Sequence, residues 1–316
     1  MCRQIARWNP SELVLLGHGE NSIFEAFIEI KEIFPSLDVQ AVIADVRDPN
    51  RIEKIFQGHQ PQVVFHAAAH KHVPLMEANV EEAVTNNVLG TRVVVEAAGR
   101  YRAERLVLIS TDKAVRPVNV MGATKRLAEM IILDAAQHNN LPYSVVRFGN
   151  VLGSRGGVVR TFKNQIARGG PVTVTHPDMH RYFMTIPEAV HLVLQAAAMG
   201  RGGEVFMLNM GEQVRILDLA EDLIRLSGLE PHRDIEIQFT GVRPGEKLRE
   251  DLFEDGVDFE RTEHSEIFRM SEEENVDGDS LARVLDQLAD HALHSRTADL
   301  ILTINRFLPS GSVQQP

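Results

Sequence analysis

Short apolar runs alternate with longer amphipathic segments along the first half of the chain. The apolar runs lie at residues 13–16, 39–44, 62–69, 106–110 and 143–148, and a helix-like segment follows each of the first four. This alternation predicts a parallel sheet whose two faces are covered by helices. Because such sheets bind ligands beyond the carboxyl ends of their strands, functional residues should directly follow the runs.

The alternation becomes less regular after residue 150. We therefore predict two domains, 1–150 and a smaller α/β domain at 151–316. Residues 186–210 join a helical pattern to the apolar run EVFMLNM, so we expect this segment to return to the sheet of the first domain.

Composition and charge exclude several classes of protein. The 316 residues are 44% hydrophobic and 24% charged, which is ordinary for a globular protein. A net charge of −11 disfavours a nucleic-acid partner, because phosphate backbones require a basic surface. No apolar run approaches the roughly 18 residues of a membrane span, and no signal peptide is visible. The single cysteine, Cys2, excludes an internal disulfide, so we expect the cytoplasm.

Polar residues follow four of the predicted strands. Asp45 follows the second strand, a histidine-containing segment at 66–72 follows the third, Thr111–Lys113 follow the fourth and Asn150 follows the fifth. Taken alone, a Thr-Asp-Lys tripeptide is more often a capped turn than an acid–base pair. Its place at a strand end, twelve residues before Lys125, favours the acid–base interpretation.

Met121 precedes Lys125 by four residues, so the two share one helical face. A tyrosine at position 121 would form a Tyr-x-x-x-Lys pair that takes a proton from an alcohol, whereas a methionine cannot take a proton. Met121 alone is most simply interpreted as a core residue.

The histidines His66, His70 and His72 raise the alternative of a metal site. No carboxylate or cysteine completes the set at ligand spacing, so we predict no metal.

Eight segments together resemble those of the extended short-chain dehydrogenase/reductase proteins. Within that superfamily the chain is most similar to the CapD-like UDP-N-acetylglucosamine 4,6-dehydratases of bacterial polysaccharide biosynthesis. The segments run from residue 13 to residue 250 and are LVLLGHGENSIFE, ADVRD, VVFHAAAHKHVPLME, NNVLGT, ISTDKAVRPVNVMGATKRLAE, VRFGNVLGSRGGVV, THPDMHRYFMTIPEA and GVRPGEKLRE.

The resemblance implies a reaction in three steps. Bound NAD, in preference to NADP, oxidises C4 of the sugar, water leaves across C5 and C6, and the hydride returns to C6. Asp112 is expected to protonate the departing 6-hydroxyl and Lys113 to take the C5 proton. Burial against the bound sugar should shift both pKa values so that Asp112 is neutral and Lys113 unprotonated. Because Met121 replaces the tyrosine, Thr111 or the Asp112 carboxylate would take the 4-hydroxyl proton. Lys125 would hold the nicotinamide ribose.

The resemblance also assigns the binding residues. The fold it implies is a Rossmann-type doubly wound parallel sheet with an NAD-binding domain at 1–150 and a nucleotide-sugar-binding domain at 151–316. The cofactor would be bound by Glu20, Asp45, Val46, Ala67, Ala68, Ala69, Asn87 and Lys125. The UDP-sugar would be bound by His70, Lys71, Asn150, Arg181, Arg243 and Glu246. An arginine fork suits a diphosphate, so Arg181 and Arg243 are the favoured contacts, although the loop positions among these residues could also be ordinary loop residues.

The first strand of the family and its Gly-x-x-Gly-x-x-Gly loop are not found in this sequence. MCRQIARWNP resembles the helix that follows that loop, so we expect a truncated or mis-started chain whose sheet has a gap between the runs at 13–16 and 62–69. The loop normally cradles the pyrophosphate of the cofactor. Full-length members of the group include inner-membrane-anchored proteins, and this chain has no span.

Three functions stay open at this point. The first is an active 4,6-dehydratase, and the second is a nucleotide-sugar 4-epimerase, which the Asp112–Lys113 pair and the missing tyrosine disfavour. The third is a non-catalytic remnant that binds UDP-sugar or assembles with intact subunits, which the missing loop favours. By analogy with the fold, we expect a homo-oligomer built on the helices near 81–98 and 120–137.

Overall fold

The computed structural model describes residues 1–154, 156–253, 259–270, 276–308 and 313. The helices are α1 (Cys2–Ala6), α2 (Glu20–Ile33), α3 (Pro49–His59), α4 (Val73–Glu77), α5 (Val80–Ala83), α6 (Gly90–Arg100), α7 (Val120–Asn139), α8 (Val158–Ala167), α9 (Ile186–Met199), α10 (Ile216–Leu226), α11 (Gly278–Leu293) and α12 (Thr297–Phe307). The strands are β1 (Leu13–Gly17), β2 (Val39–Ile43), β3 (Val63–His66), β4 (Arg105–Ile109), β5 (Tyr143–Arg147), β6 (Asn150–Leu152), β7 (Val172–Val174), β8 (His180–Arg181), β9 (Phe183–Thr185), β10 (Val205–Leu208), β11 (Val214–Arg215), β12 (Ile237–Phe239), β13 (Phe259–Arg261) and β14 (Ile267–Met270).

The central sheet has six strands in the order β13-β14-β10-β5-β4-β3. Strands β3, β4, β5 and β10 are parallel, and β5 and β10 are buried at every position. Strand β10, at the end of the 186–210 segment, pairs in parallel with β5. Strands β14 and β13 add an antiparallel edge that the sequence pattern did not predict.

Strands β1 and β2 form a separate two-stranded parallel sheet, with a register from Leu13 opposite Val39 to Gly17 opposite Ile43. Strand β3 ends the six-stranded sheet, and Val63 at its start is 46% exposed. Among the described residues no strand lies between β1 and β3. The expected gap in the sheet at this point is confirmed.

Helices cover the two faces of the six-stranded sheet. On one face, α6 and α7 bury a large apolar cluster with β4 and β5, and on the other face α9 packs Leu192 and Val193 against Val146 and Phe206. This double covering explains why the strands are continuously apolar. A Rossmann-type doubly wound α/β fold, as predicted, is therefore present.

A smaller core lies away from the central sheet. It packs α8 and α10 against the parallel pair β7 and β12, with Phe162 and Ile224 fully buried. The core gives the second half of the chain its own apolar centre. The division at residue 150 and the two binding roles stay predictions.

The helix predicted over residues 81–98 is interrupted by a π-helical segment, Val84–Leu89, which joins α5 to α6. Such segments often accompany functional sites. The wider turn carries Asn87, whose contacts are described below.

The C-terminal helices α11 and α12 pack on the π-helical segment, α5 and α7 through buried residues such as Leu285 and Leu300. This is the helix face through which we expected an oligomer, so an oligomer that used it would contact α11. The homo-oligomer stays a prediction.

Within the described residues, none of the helices has both the length and the apolar character that a membrane span requires.

Candidate active site

The Thr111–Lys113 segment forms a tight turn directly after β4. Residues Asp112–Ala114 make one turn of 3₁₀ helix, and the Thr111 hydroxyl accepts a hydrogen bond from the Lys113 backbone N–H. The same hydroxyl donates to Asp112 Oδ1 at 2.8 Å, and Lys113 Nζ donates to that oxygen at 2.9 Å. The turn is therefore capped, and it also brings an acid and an amine into direct contact.

Asp112 is 1% exposed, and its second oxygen, Oδ2, has no hydrogen-bond partner among the described residues. That oxygen lies against Gly149, where an added Cβ would stand 3.1 Å from it and 2.9 Å from the Cβ of Tyr182. A buried carboxylate oxygen without a partner is costly and is a common mark of a binding site. It can accept a hydrogen bond from a hydroxyl group of a ligand.

The charges around Lys113 oppose the protonation state that we expected. Burial alone lowers the pKa of Lys113, but the carboxylates of Asp112 and Glu250 outweigh it and the net pKa is raised, with Arg181 opposing them. Lys113 is therefore a charged ammonium at neutral pH in the ligand-free protein. The expected neutral amine concerns the sugar-bound protein, so that expectation stays a prediction.

Helix α7 is held tightly against the turn. The Asn119 side chain caps the helix by accepting from the Gly122 N–H at 2.7 Å. An added Cβ at Gly122 would lie 2.2 Å from the Lys113 carbonyl oxygen, so only glycine fits there. This close approach fixes the position of the turn relative to Met121 and Lys125.

Met121 and Lys125 occupy the buried face of α7. Met121 is 3% exposed and belongs to the apolar cluster under α6 and α7, as a core residue would. Lys125 Nζ donates to the Ile109 carbonyl oxygen at 2.7 Å. Burial lowers the pKa of Lys125 to about 8, although Glu129 acts against this effect.

A buried ion pair lies beneath the turn. Glu129 accepts from Arg147 Nε at 2.8 Å and from Arg147 Nη2 at 2.6 Å, and it also accepts from the Ser110 hydroxyl. Burial alone raises the pKa of Glu129, but Arg147, Arg126 and Ser110 outweigh it and lower the pKa to about 2. Since Ser110 precedes Thr111, this network anchors the end of β4.

Asn150, Arg181 and the loop at 241–250 complete the cleft. Lys113 Nζ donates to Asn150 Oδ1 at 3.3 Å, and Arg181 Nη1 donates to the carbonyl oxygens of His180 and Leu248. The loop is tied to the start of α7, since Asn119 Nδ2 donates to the Gly245 carbonyl oxygen at 2.8 Å.

Two predicted residues of this loop differ in burial. Arg243 is exposed, whereas Glu246 is half-buried and its Oε2 has no partner among the described residues. Their predicted contacts to the UDP moiety stay predictions.

Glu250 was not predicted. It ends the segment GVRPGEKLRE and is 5% exposed, with Oε1 at 3.6 Å from Lys113 Nζ and 3.7 Å from Arg181 Nε. An acidic residue among the basic residues of this loop was the available signal. Its two partners lie far away along the chain, so sequence spacing alone could not identify them.

The segment after β3 is held by Asn87. Asn87 is buried, accepts from the His70 N–H at 2.8 Å and donates to the His70 carbonyl oxygen and to Thr124 Oγ1, each at 3.0 Å. This clamp sets the position of Ala67, which is exposed, and of Ala68 and Ala69, which are half-buried.

The three histidines of this region point to different partners. His66 Nε2 contacts Thr91 Oγ1 at 2.9 Å, His70 Nε2 contacts Glu82 at 3.3 Å, and an added Cβ at Gly156 would lie 2.4 Å from the His72 ring. No group of three or more His, Cys, Asp or Glu residues in the described part of the chain is placed to hold a metal ion. Lys71, on the same segment, is exposed overall, but desolvation of its amine by partial burial lowers its pKa.

The remaining predicted cofactor residues lie with the β1–β2 sheet. Hydrogen bonds from Arg47 lower the pKa of Asp45 to about 2, and Arg47 also pairs with Glu82. Val46 is buried against Gly90, and Glu20 is exposed at the start of α2. The cofactor roles of these residues stay predictions.

Residues 1–272 match the family model described as polysaccharide biosynthesis protein. The chain belongs to the polysaccharide biosynthesis protein family. The resemblance to the CapD-like group is thereby confirmed. This chain is 53% identical to the capsular polysaccharide biosynthesis protein CapD of Staphylococcus aureus. The match extends over 271 residues and covers 85% of this chain and 45% of CapD. It thus spans less than half of that relative. It is also 34% identical to the UDP-glucose 4-epimerase of Rickettsia canadensis, covering 83% of this chain and 80% of that protein.

Solved structures of this family fold agree with the architecture. The structure of Pen from Bacillus thuringiensis matches with a TM-score of 0.75 and 31% identity, covering 85% of this chain and 82% of Pen. DesIV, a dTDP-glucose 4,6-dehydratase from Streptomyces venezuelae solved with NAD and DAU bound, matches with a TM-score of 0.69 and 18% identity, covering 79% of this chain and 83% of DesIV. The chain therefore has the Rossmann-type fold of the short-chain dehydrogenase/reductase proteins.

Proposed function

We propose that this chain performs the NAD-dependent dehydration of a UDP-N-acetyl-hexosamine, with UDP-N-acetylglucosamine as the expected substrate, to its 4-keto-6-deoxy form. The product would serve bacterial polysaccharide or glycan biosynthesis. The observation that carries the proposal is the contact between Asp112 and Lys113 at the end of β4, with Asp112 Oδ2 buried and unpartnered. Elimination across C5 and C6 needs both an acid and a base, and this pair supplies them.

We infer that a nicotinamide dinucleotide would bind at the ends of β2, β3 and β4, without the Gly-rich loop that normally cradles its pyrophosphate. Lys125 would hold the nicotinamide ribose, Asp45 and Val46 the adenosine part, and residues 67–69 the segment between them. When bound, NAD supplies the hydride acceptor for C4 and the hydride donor for C6. NAD is proposed in preference to NADP, because the Arg47 guanidinium that could face a 2′-phosphate is already paired with Asp45 and Glu82.

Asp112 is proposed to handle the proton of the 4-hydroxyl. Its carboxylate accepts that proton directly or through the Thr111 hydroxyl, which already donates to Oδ1 at 2.8 Å. Asp112 is then neutral and can pass the proton to the departing 6-hydroxyl, which leaves as water. Asp112 would thus accept the 4-hydroxyl proton in place of a tyrosine, which is consistent with methionine at position 121.

Lys113 is proposed to act as a neutral amine at C5. It takes the C5 proton during elimination and returns it to C5 when the hydride reaches C6. Lys113 must therefore lose the proton that it carries in the ligand-free protein before it can act as the base. Protonation of Asp112 removes one of the charges that raise the pKa of Lys113, which helps the amine to stay neutral during the reaction.

The UDP group is proposed to lie along Asn150, Arg181 and the 241–250 loop. Arg181 offers a guanidinium fork beside the Asp112–Lys113 pair, which suits a diphosphate. Arg243 and Glu246 would contact the rest of the UDP group, and His70 and Lys71 would face the sugar.

A 4-epimerase is the second candidate, because the Rickettsia relative carries that name. Epimerisation needs no acid and base at C5 and C6, so the Asp112–Lys113 pair favours the dehydratase. Incubation of the chain with UDP-N-acetylglucosamine, with and without NAD, separates the candidates. A 4-keto-6-deoxy product supports the dehydratase, UDP-N-acetylgalactosamine supports the epimerase, and binding without turnover supports a non-catalytic chain. Asp112→Asn and Lys113→Ala should each abolish elimination, and Asp251→Asn is the control on the same side of the cleft.

A further inference from the structure

Glu250 places a single carboxylate oxygen between two cations of the cleft. Oε1 lies 3.6 Å from Lys113 Nζ and 3.7 Å from Arg181 Nε, and the residue is 5% exposed. The residue belongs to the 241–250 segment, which is fixed to α7 and to β8 by backbone contacts. Its carboxylate is therefore held in place by the chain around it.

We propose that Glu250 is a positioning residue that couples diphosphate binding at Arg181 to the charge of Lys113. The proposal rests on the proposed function, because it takes Arg181 as the diphosphate contact and Lys113 as the base. In the ligand-free protein, one oxygen of Glu250 holds Arg181 and Lys113 on the same side of the cleft. A bound diphosphate competes with that oxygen for the Arg181 guanidinium.

The charges that face Lys113 come from three elements. Its own turn contributes Asp112, the 241–250 loop contributes Glu250, and β8 contributes Arg181, while β6 contributes the neutral side chain of Asn150. Removal of the Glu250 charge leaves Lys113 with one carboxylate and one guanidinium as neighbours. The ammonium form then loses stabilisation, so the neutral amine should form at lower pH.

Glu250→Gln tests the first half of the proposal, because the amide keeps the shape of the side chain and removes its charge. UDP binding is measured by titration calorimetry on the full chain. We expect Glu250→Gln to bind UDP roughly two- to fivefold more tightly than the unmodified chain, since Arg181 loses a competing anion. Asp251→Asn, one residue further along and paired with Lys247, should bind UDP as the unmodified chain does.

Carbamylation by cyanate tests the second half without any need for turnover. Cyanate reacts with neutral amines, so the pH dependence of Lys113 modification, followed by peptide mapping, gives the pH at which this amine loses its proton. We expect the midpoint to move about one pH unit lower in Glu250→Gln. Glu250→Asp, which keeps the charge but withdraws it by one methylene, should lower the midpoint less than Glu250→Gln does.

Unchanged UDP affinity or an unchanged midpoint in Glu250→Gln would overturn the proposal. A purely structural role would lower the unfolding temperature of Glu250→Gln and Glu250→Asp alike and move neither quantity. If Glu250→Gln fails to fold, Glu250→Asp decides, since a carboxylate withdrawn by one methylene from Arg181 should tighten UDP binding, and unchanged affinity would refute the coupling. Failure of the proposed function is seen separately, as the absence of UDP binding or of a 4-keto-6-deoxy product in the unmodified chain.

Discussion

Arg147 of β5 and Glu129 of α7 form a two-point ion pair beneath the candidate active site. The two hydrogen bonds measure 2.8 and 2.6 Å, and both residues are buried. The pair links the central strand to the helix that carries Met121 and Lys125. Glu129 also accepts a hydrogen bond from Ser110, the residue before the Thr111–Lys113 turn.

Glu129→Ala should destabilise the fold strongly, because it removes the buried carboxylate that accepts two hydrogen bonds from the Arg147 guanidinium. We expect a loss of about 3–5 kcal/mol in the free energy of unfolding, measured by urea titration. Glu53→Ala is the matched control, since Glu53 pairs with Arg100 at the surface and such a pair contributes about 1 kcal/mol or less. Equal losses in the two variants would contradict the importance of the buried pair.

Gly149→Ala should impair catalysis more than folding. The added Cβ would lie 3.1 Å from Asp112 Oδ2, 2.9 Å from the Tyr182 Cβ and 3.3 Å from the Met210 methyl group. It would therefore occupy the space beside the carboxylate oxygen that we propose takes the 4-hydroxyl proton. We expect turnover of UDP-N-acetylglucosamine to fall by about tenfold or more, as displacements of about 1 Å often cause.

The control for this variant is Gly99→Ala in α6, where no atom lies within 4 Å of the added Cβ and alanine favours the helix. It should keep full turnover and slightly raised stability. Wild-type turnover in Gly149→Ala would show that the space beside Oδ2 is not used.

The sequence predicted the central strands well, because parallel strands buried on both faces are continuous apolar runs. It did not predict β13 and β14, since these strands are only three and four residues long and lie in an acidic part of the chain. The π-helical segment at Val84–Leu89 was also not predicted.

The positions of Thr111, Asp112, Lys113 and Asn150 directly after predicted strands indicated that these residues lie together, and the structure places them in contact. The sequence could not reveal Glu250 or the Glu129–Arg147 pair, because their partners are distant along the chain. The raised pKa of Lys113 in the ligand-free protein could not be predicted for the same reason. A pKa depends on all groups within a few ångströms, and the sequence gives no such distances.

The proposed dehydratase activity should rise with pH above neutrality. The raised pKa of Lys113 means that the amine holds its proton at pH 7, whereas the proposed base must be neutral. We therefore expect kcat/KM, which reports the free enzyme, to increase with pH until Lys113 has lost its proton.

Lys125 titrates near pH 8 in the same profile, so Lys125→Arg, whose guanidinium keeps its charge, removes the second lysine from the measurement. In Lys125→Arg, kcat/KM should still rise with pH, although its value should be lower at every pH. A profile that is flat from pH 6 to pH 9 would exclude Lys113 as the base.

Protein stability should fall as the pH drops below about 6.5, because His66 is buried as a neutral ring. Burial, with help from the nearby Lys125 charge, lowers the pKa of His66 to about 3. Between pH 6.5 and pH 3 the unfolded chain therefore binds a proton that the native protein does not, and the free energy of unfolding declines over that range.

The carboxylates of Asp45 and Glu129 have pKa values of about 2 in the folded protein, so their contribution is lost only as the pH falls from about 4.5 towards 2. Urea unfolding at pH 7 and pH 5 thus isolates His66 from these groups. His66→Gln, which can still bond to Thr91, should lose less stability between the two pH values than the unmodified chain. An identical loss in both proteins would show that another group causes the decline.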